Sequence, residues 1–403
     1  YRIGMWMYDR IAGHTNLEPS RSLGPNQMRE LSSAISLDHV RGGVLYYDGQ
    51  LNDARYALSI LQEAERLGAT VINYCELTSF FCSPKSLKIK HVHFKDLVGN
   101  LEHSASVRAV VNATGPYTDA IRKMANPKLG SRMKVSRGAH IVLPKSFWPS
   151  ETALLIPKTD DVRVVFLIPW RGYVLVGTTD DPDTISDQPE ILEEEKIYLL
   201  EYFNRFAKQK ASLEDISSHF VGQRPLIQVQ LNDALHTDTK SLVRDHEVEV
   251  DQRSKLVSIM GGKWTTYRVM ASDTLDVVET EVFHVKKSVC RTQHHALGIS
   301  EAVDFSTEVQ EGDMSPETMK HLMETYGGQA RHVWEYCQKE ADGTQLINFD
   351  LPYLCGEIGY LKEFEMATTW EDVLKRRWGI ALRDEVMASR LEAIKKEAFA
   401  SLD

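Results

Sequence analysis

An apolar run, KLVSIM (255–260), ends on two glycines and passes into Lys263, Trp264, Thr265, Thr266, Tyr267 and Arg268. The run reads as a strand, residues 269–278 as an amphipathic helix, and the glycines as the bend between them. Such a joint belongs to an α/β architecture, in which helices cover a sheet. Glycines let a backbone approach a flat or charged ligand, and a helix start aims N–H groups at an anion or an electron-rich ring edge. Lys263 adds a point charge, and the hydroxyls of Thr265 and Thr266 add hydrogen-bonding groups. The same letters suit an ordinary strand–turn–helix joint equally well.

Ahead of the glycine–lysine joint stand RGGVLYYDGQLNDAR (41–55), VNATGPY (111–117), SRGAHIVLP (136–144), IPWRGYVLVGTTDD (168–181), GQRPL (222–226) and LVRD (242–245). Together, in this order, they closely resemble the FAD-dependent glycerol-3-phosphate dehydrogenases. The resemblance runs from about Arg2 to about Arg390. It implies a partial Rossmann-like FAD-binding domain, an antiparallel substrate-binding sheet and an α-helical C-terminal domain. The expected boundaries are 1–134 and a return segment 251–285 for the FAD domain, 135–250 for the substrate domain and 286–403 for the helical domain.

The local patterns agree with that plan. Short helices are expected at 3–9 and 28–34, and a strand at 43–48. Apolar Ala54, Leu58, Leu61, Ala64 and Leu67 recur at a helical period, with Gly68 as the stop. A strand at 70–74 would complete a β–α–β unit with a parallel pair. A hairpin is expected over 88–101 and a valine-rich strand over 106–112, followed by a helix at 118–124. Strands then dominate from 135 to 177, a long helix covers 190–208, and further strands cover 216–221, 243–250 and 256–260. Beyond about residue 285 helices take over, with Ser315-Pro316 opening one and Thr369 with Asp372 another; a final helix covers 384–399.

Glycerol 3-phosphate carries a dianionic phosphate beside a secondary alcohol, so its site needs cations, a proton acceptor and a hydride acceptor. By resemblance, Arg224 and Arg244 match the family's substrate-contacting arginines. Lys263 matches the lysine of its flavin and substrate site, and His140 a histidine near the substrate. The expected catalytic set is therefore His140, Arg224, Arg244 and Lys263. The expected cofactor contacts are Ala113, Thr114, Gly115, Thr178, Gly261, Gly262, Lys263, Thr265 and Thr266. A histidine in that apolar setting can titrate near neutrality and take a proton, although by position alone it reads first as a hydrogen-bonded core histidine. Each arginine alone is equally a structural ion pair, and Thr178 and Thr179 equally a β-turn. Asp48, Asn52, Asp53 and Arg55 read as a helix cap and an ion pair. Trp264 replaces the smaller apolar residue of many family members.

The implied reaction is oxidation of sn-glycerol 3-phosphate to dihydroxyacetone phosphate, with FAD as hydride acceptor and electrons passed on to quinone. An oxygen-using glycerol-3-phosphate oxidase is the alternative enzyme. Family members begin with a G-x-G-x-x-G turn that holds the FAD pyrophosphate, followed by a basic, serine-rich segment; neither pattern occurs in this sequence. A fragment of a longer product, or a truncated non-catalytic remnant serving binding or assembly, both follow from that difference. The net charge of −10 argues against general nucleic-acid binding. No apolar run reaches the length of about 18 residues that a membrane-crossing helix needs. The 5 scattered cysteines form no CxxC pair, which points to reduced thiols inside a cell and to no metal site. A mitochondrial or membrane-peripheral location, with the cytoplasm as alternative, and a homodimer complete the expectations.

Overall fold

A computed structural model describes residues 2–13, 16–38, 40–228, 245–298, 305, 309 and 313–394. The strands in chain order are β1 (Arg21–Leu23), β2 (Gly43–Leu45), β3 (Cys75–Cys82), β4 (Ile89–Asp96), β5 (Leu101–Ser106), β6 (Val110–Asn112), β7 (Met133–Pro144), β8 (Leu154–Ile156), β9 (Val165–Trp170), β10 (Tyr173–Gly177), β11 (Asp181–Asp183), β12 (Ser218–Ile227), β13 (His246–Val250) and β14 (Leu256–Gly261). The helices are α1 (Arg2–Ala12), α2 (Pro25–Leu31), α3 (Asp53–Arg66), α4 (Thr118–Ala125), α5 (Glu193–Phe206), α6 (Tyr267–Val277), α7 (Pro316–Tyr326), α8 (Ala330–Lys339), α9 (Cys355–Phe364) and α10 (Glu385–Ile394).

The largest sheet has 6 strands in the order β11-β7-β10-β9-β8, with β12 on the other side of β7, and every pairing in it is antiparallel. Strand β9 alternates between buried and half-buried residues over Val165–Ile168, and β10 over Tyr173–Val176. Ala139, Ile141 and Leu143 are fully buried on one face of β7, and Ile141 and Leu143 pack with Leu199 and Phe203 of α5. Ser136, Gly138 and His140 occupy the opposite face by the two-residue period. A smaller sheet joins β13, β14 and β6, and β14 runs parallel to β6. The two sheets meet at a small apolar joint of Met133, Ile227 and Met260. Asp119 of α4 reinforces it by accepting the N–H groups of Arg132 and Met133 at 2.8 and 2.9 Å. The C-terminal helices enclose their own core around Leu322, Tyr326, Val333, Leu361 and Trp378. Among the described residues no helix is long and apolar enough to cross a membrane.

The expected caps form. Asn52 accepts the N–H of Arg55, and Ser315 accepts that of Thr318. Thr369 and Asp372 bond reciprocally, each side chain accepting the other's N–H at 3.1 Å. The expected β–α–β unit does not form. Helix α3 is present, but β2 pairs antiparallel with β1, and residues 70–74 join no ladder among the described residues. Alternation marks an extended segment without naming its neighbour, and β2 found one in the polar segment upstream. The strand expected over 106–112 divides into the end of β5 and a separate β6. Residues 97–100 form the turn between β4 and β5, with Asn100 in the left-handed region at φ 53°. The helix expected at 384–399 is seen as α10, and positions after 394 lie outside the described residues.

One buried ion pair ties the amino-terminal half to the helical core. Arg55 of α3 grips Glu365 in bidentate fashion at 2.6 and 2.9 Å, donates to the Thr325 carbonyl at 2.9 Å and lies 4.7 Å from the Tyr326 ring centre. Their side chains are 4% and 0% exposed. Breaking such a pair from one side strands a desolvated charge. Arg55→Ala is therefore expected to lower the unfolding free energy by about 3 kcal/mol or more, read as a fall in the urea midpoint.

Candidate active site

The face of the large sheet opposite α5 has a floor without side chains. Gly222 of β12 lies directly opposite Gly138 of β7, and Gly177 of β10 lies opposite His140. A Cβ at Gly138 would sit 2.6 Å from the Thr178 hydroxyl and closer still to the Arg224 guanidinium. A Cβ at Gly177 would overlap the His140 ring, nearest at Cδ2. A Cβ at Gly222 would meet nothing within 4 Å, so a flat group has open access there.

Arg224, His140 and Thr178 rim this floor. Arg224 stands in register with Ser136 and lays its guanidinium over Gly138. It donates to the Thr178 hydroxyl at 2.9 Å, the Thr179 carbonyl at 3.3 Å and the Asp180 carboxylate at 3.3 Å. Ser136 also donates to Asp180. The side chain of Arg224 remains 36% exposed, enough for a charged donor to meet a ligand. His140 stacks on Phe220, with ring centres 4.9 Å apart and planes 15° apart. Its Nδ1 is buried and has no hydrogen-bond partner. Burial first, and the Arg224 cation second, pull the imidazole down to about 4. This corrects the expectation of titration near neutrality: at pH 7 the ring is neutral and carries a lone pair ready for a proton.

A second group lies where the parallel strands end. Ser258 of β14 pairs with Asn112 of β6, and Asn112 Nδ2 donates to Ser258 Oγ at 3.2 Å. Both strands run into a glycine in the left-handed region, Gly115 at φ 56° and Gly261 at φ 66°, the latter followed by Gly262 at 82°. Each turn then leads through a short 3-10 segment into a helix, α4 or α6. In open α/β sheets the crevice beyond the carboxyl ends of adjacent strands is the ligand site, and the helix starts face it. Lys263 and Thr265 are exposed at this edge. The Thr266 hydroxyl instead donates to the Lys263 carbonyl at 3.0 Å, and Thr114 donates to Asn112 at 2.7 Å. Those two hydroxyls shape the turns.

The two groups abut through Ile227 of β12, whose Cδ1 lies 2.8 Å from the place a Cβ on Gly261 would take. The structure thus gathers His140, Thr178 and Arg224 in one cluster, and sets Ala113, Thr114 and Gly115 beside Gly261, Gly262 and Lys263 in another. Arg244 lies outside the described residues. Gly138, Gly177, Gly222, Phe220 and Asp180 belong to this candidate cluster and were not singled out from the sequence. Small residues in three strands were the available signal, and only the register stacks them. The glycine cradle, the orphaned imidazole nitrogen and the strand-end turns fit a flavin ring lying near a small anion.

Comparison with known proteins gives the following. The family model for FAD dependent oxidoreductases matches residues 5–268. The model for the C-terminal domain of alpha-glycerophosphate oxidase matches residues 258–397. The mitochondrial glycerol-3-phosphate dehydrogenase of Mesocricetus auratus is 34% identical over 94% of this chain and 53% of its own length. The mitochondrial enzyme of that name from Arabidopsis thaliana is 33% identical over 96% of this chain and 64% of its own length. The chain therefore spans about half to two thirds of these relatives. The crystal structure of the glycerol-3-phosphate dehydrogenase from Bacillus halodurans complexed with FAD superposes with a TM-score of 0.78 at 27% identity, covering 94% of this chain and 75% of that one. A glycine oxidase from Bacillus cereus shares the fold alone, at TM-score 0.50 and 14% identity.

The buried imidazole gives a pH signature. In the unfolded chain His140 titrates near 6.5, and in the folded chain near 4. A depressed folded value means that stability is fully present above about pH 6.5 and is lost as the pH falls toward about 4. Wild-type protein is expected to lose about 3 kcal/mol more than His140→Gln across that window, measured as the difference between their denaturant midpoints at pH 7 and pH 4.

Proposed function

We propose, because this chain belongs to the FAD-dependent oxidoreductase family, that it oxidises sn-glycerol 3-phosphate to dihydroxyacetone phosphate and passes the electrons to a quinone. The observation that carries this reading is the Arg224 guanidinium, held over a glycine floor beside a neutral histidine with a free Nδ1.

The chemistry distributes over these residues as follows. Arg224 binds the phosphate dianion of the substrate, already oriented by Thr178 and Asp180. Arg244 and Lys263 add positive charge, by the resemblance on which they were picked out. His140 accepts the proton of the C2 hydroxyl on its neutral imidazole. Its basicity rises when the substrate dianion offsets the Arg224 charge, one of the two causes of its depression. Ala113, Thr114 and Gly115, together with Gly261, Gly262, Lys263, Thr265 and Thr266, would hold the flavin, and Thr178 would meet it from the sheet. When bound, FAD supplies the hydride acceptor for C2. The glycine floor excludes side chains and brings the sheet close to the reacting carbon.

A second reading, oxidation with molecular oxygen as acceptor, is supported by the match of residues 258–397 to the glycerophosphate oxidase tail. The two readings separate in one assay. The full protein, supplied with FAD and glycerol 3-phosphate, is expected to reduce a soluble quinone without releasing stoichiometric hydrogen peroxide. Peroxide formed in the absence of quinone selects the oxidase reading. Arg224→Ala is expected to raise KM for glycerol 3-phosphate by about 10- to 150-fold, as loss of a charge-assisted hydrogen bond requires. An unchanged KM removes Arg224 from the site.

A further inference from the structure

Glu195 lies on the far side of the large sheet from the glycine floor. It belongs to the first turn of α5, where the helix dipole favours a carboxylate. Its side chain is 7% exposed. It accepts three hydrogen bonds: from the Thr179 hydroxyl at 2.8 Å, from the Leu192 N–H at 2.9 Å and from Arg137 Nε at 3.3 Å. The Thr179 hydroxyl in turn accepts the N–H of Ala139 at 2.9 Å. Thr179 is itself 1% exposed.

We infer that Glu195 is a positioning residue for Arg224, acting through Thr179. The geometry forms a short relay. A threonine hydroxyl has a single proton. Thr179 spends it on Glu195, which leaves an oxygen lone pair aimed at Ala139 on the central strand β7. These two bonds clamp the turn that follows β10 between the sheet and α5. The same turn carries three of the acceptors that orient the Arg224 guanidinium: the Thr178 hydroxyl, the Thr179 carbonyl and the Asp180 carboxylate. A buried carboxylate on one face of the sheet thereby sets the direction of a cation on the other. Loss of the acceptor leaves a buried hydroxyl unsatisfied, and the turn relaxes to satisfy it. The inference rests on the proposed substrate role of Arg224 only for its kinetic consequence.

Three variants divide the relay from the other work of Glu195. Thr179→Val keeps the shape and removes the hydroxyl, without touching the α5 cap or Arg137. Arg137→Met removes the ion pair and leaves the relay. Glu195→Gln keeps an acceptor oxygen for Thr179 and gives up the one that accepts the Leu192 N–H. Crystal structures of Thr179→Val and Arg137→Met are expected to show the Arg224 guanidinium displaced in the first and in its wild-type position in the second. In steady-state assays Thr179→Val is expected to raise KM for glycerol 3-phosphate by about 10-fold, the cost of a misplaced charged donor, with kcat changed less. Glu195→Gln is expected to stay within about 3-fold of wild type, as its retained acceptor implies. Arg224 in its wild-type position in Thr179→Val, or equal displacement in Arg137→Met, overturns the inference. If wild-type protein turns over no glycerol 3-phosphate, the function proposed above fails, and the crystal structures still decide the relay.

Discussion

The antiparallel ladder between β7 and β12 holds the rest of the molecule in place. It runs unbroken from the Ser218–Val142 pair to the Ile227–Met133 pair. One end is anchored in the apolar joint with Met260, where the small parallel sheet meets the large one. Further along, Arg224 faces Ser136 and Gly222 faces Gly138, so register alone decides that a cation lies over glycine. A slip of one residue would turn Arg224 into the core beneath the sheet and bring Gln223 to the floor. The buried partners of β7, including Ala139, Ile141 and Leu143, make that slip costly. The geometry of the site is thus a by-product of core packing on the other face.

Charge is handled differently in the three regions, and each treatment follows from burial. In the helical core, Glu365 is fully enclosed and draws on both Arg55 and Arg377. Glu357 is equally enclosed and accepts from His321 at 2.9 Å, Tyr326 at 2.7 Å and Trp378 at 3.2 Å. Both carboxylates are thus held by several donors or cations of the protein. Beneath the sheet, Glu195 is similarly saturated. On the exposed face the pattern changes: Arg224 keeps solvent contact, and His140 keeps an unbonded nitrogen. At the glycine floor a bonded but solvent-exposed cation thus lies beside a neutral imidazole whose pKa is depressed, a pairing that marks a candidate site.

The glycine–lysine joint and the order of the motifs were legible in the sequence because they are local. Apolar period, helix caps at Asn52, Ser315 and Thr369, and glycine at the strand ends each depend on neighbours a few residues away. The antiparallel character of the large sheet was legible for the same reason, since short alternating strands separated by turns fold back on themselves. The β–α–β reading of residues 43–74 failed where local evidence ends. Nothing in those letters names Arg21–Leu23 as the partner of β2. The expected neutral-range histidine failed likewise, because the depression of His140 comes from burial and from a cation more than eighty positions later in the chain.

What the sequence determined by itself is the list of chemical parts and the α/β plan that carries them. Residue type, spacing and propensity act over one or two turns of chain, and these suffice to place arginine, histidine, threonine and glycine on named strands and turns. The tertiary structure alone decided which of them share a surface. Gly138, Gly177 and Gly222 come from three strands, Asp180 from a turn and Glu195 from a helix behind the sheet. Their meeting depends on register and on sheet-to-helix packing, which are set by the summed burial of many apolar side chains and are written in no single stretch of residues.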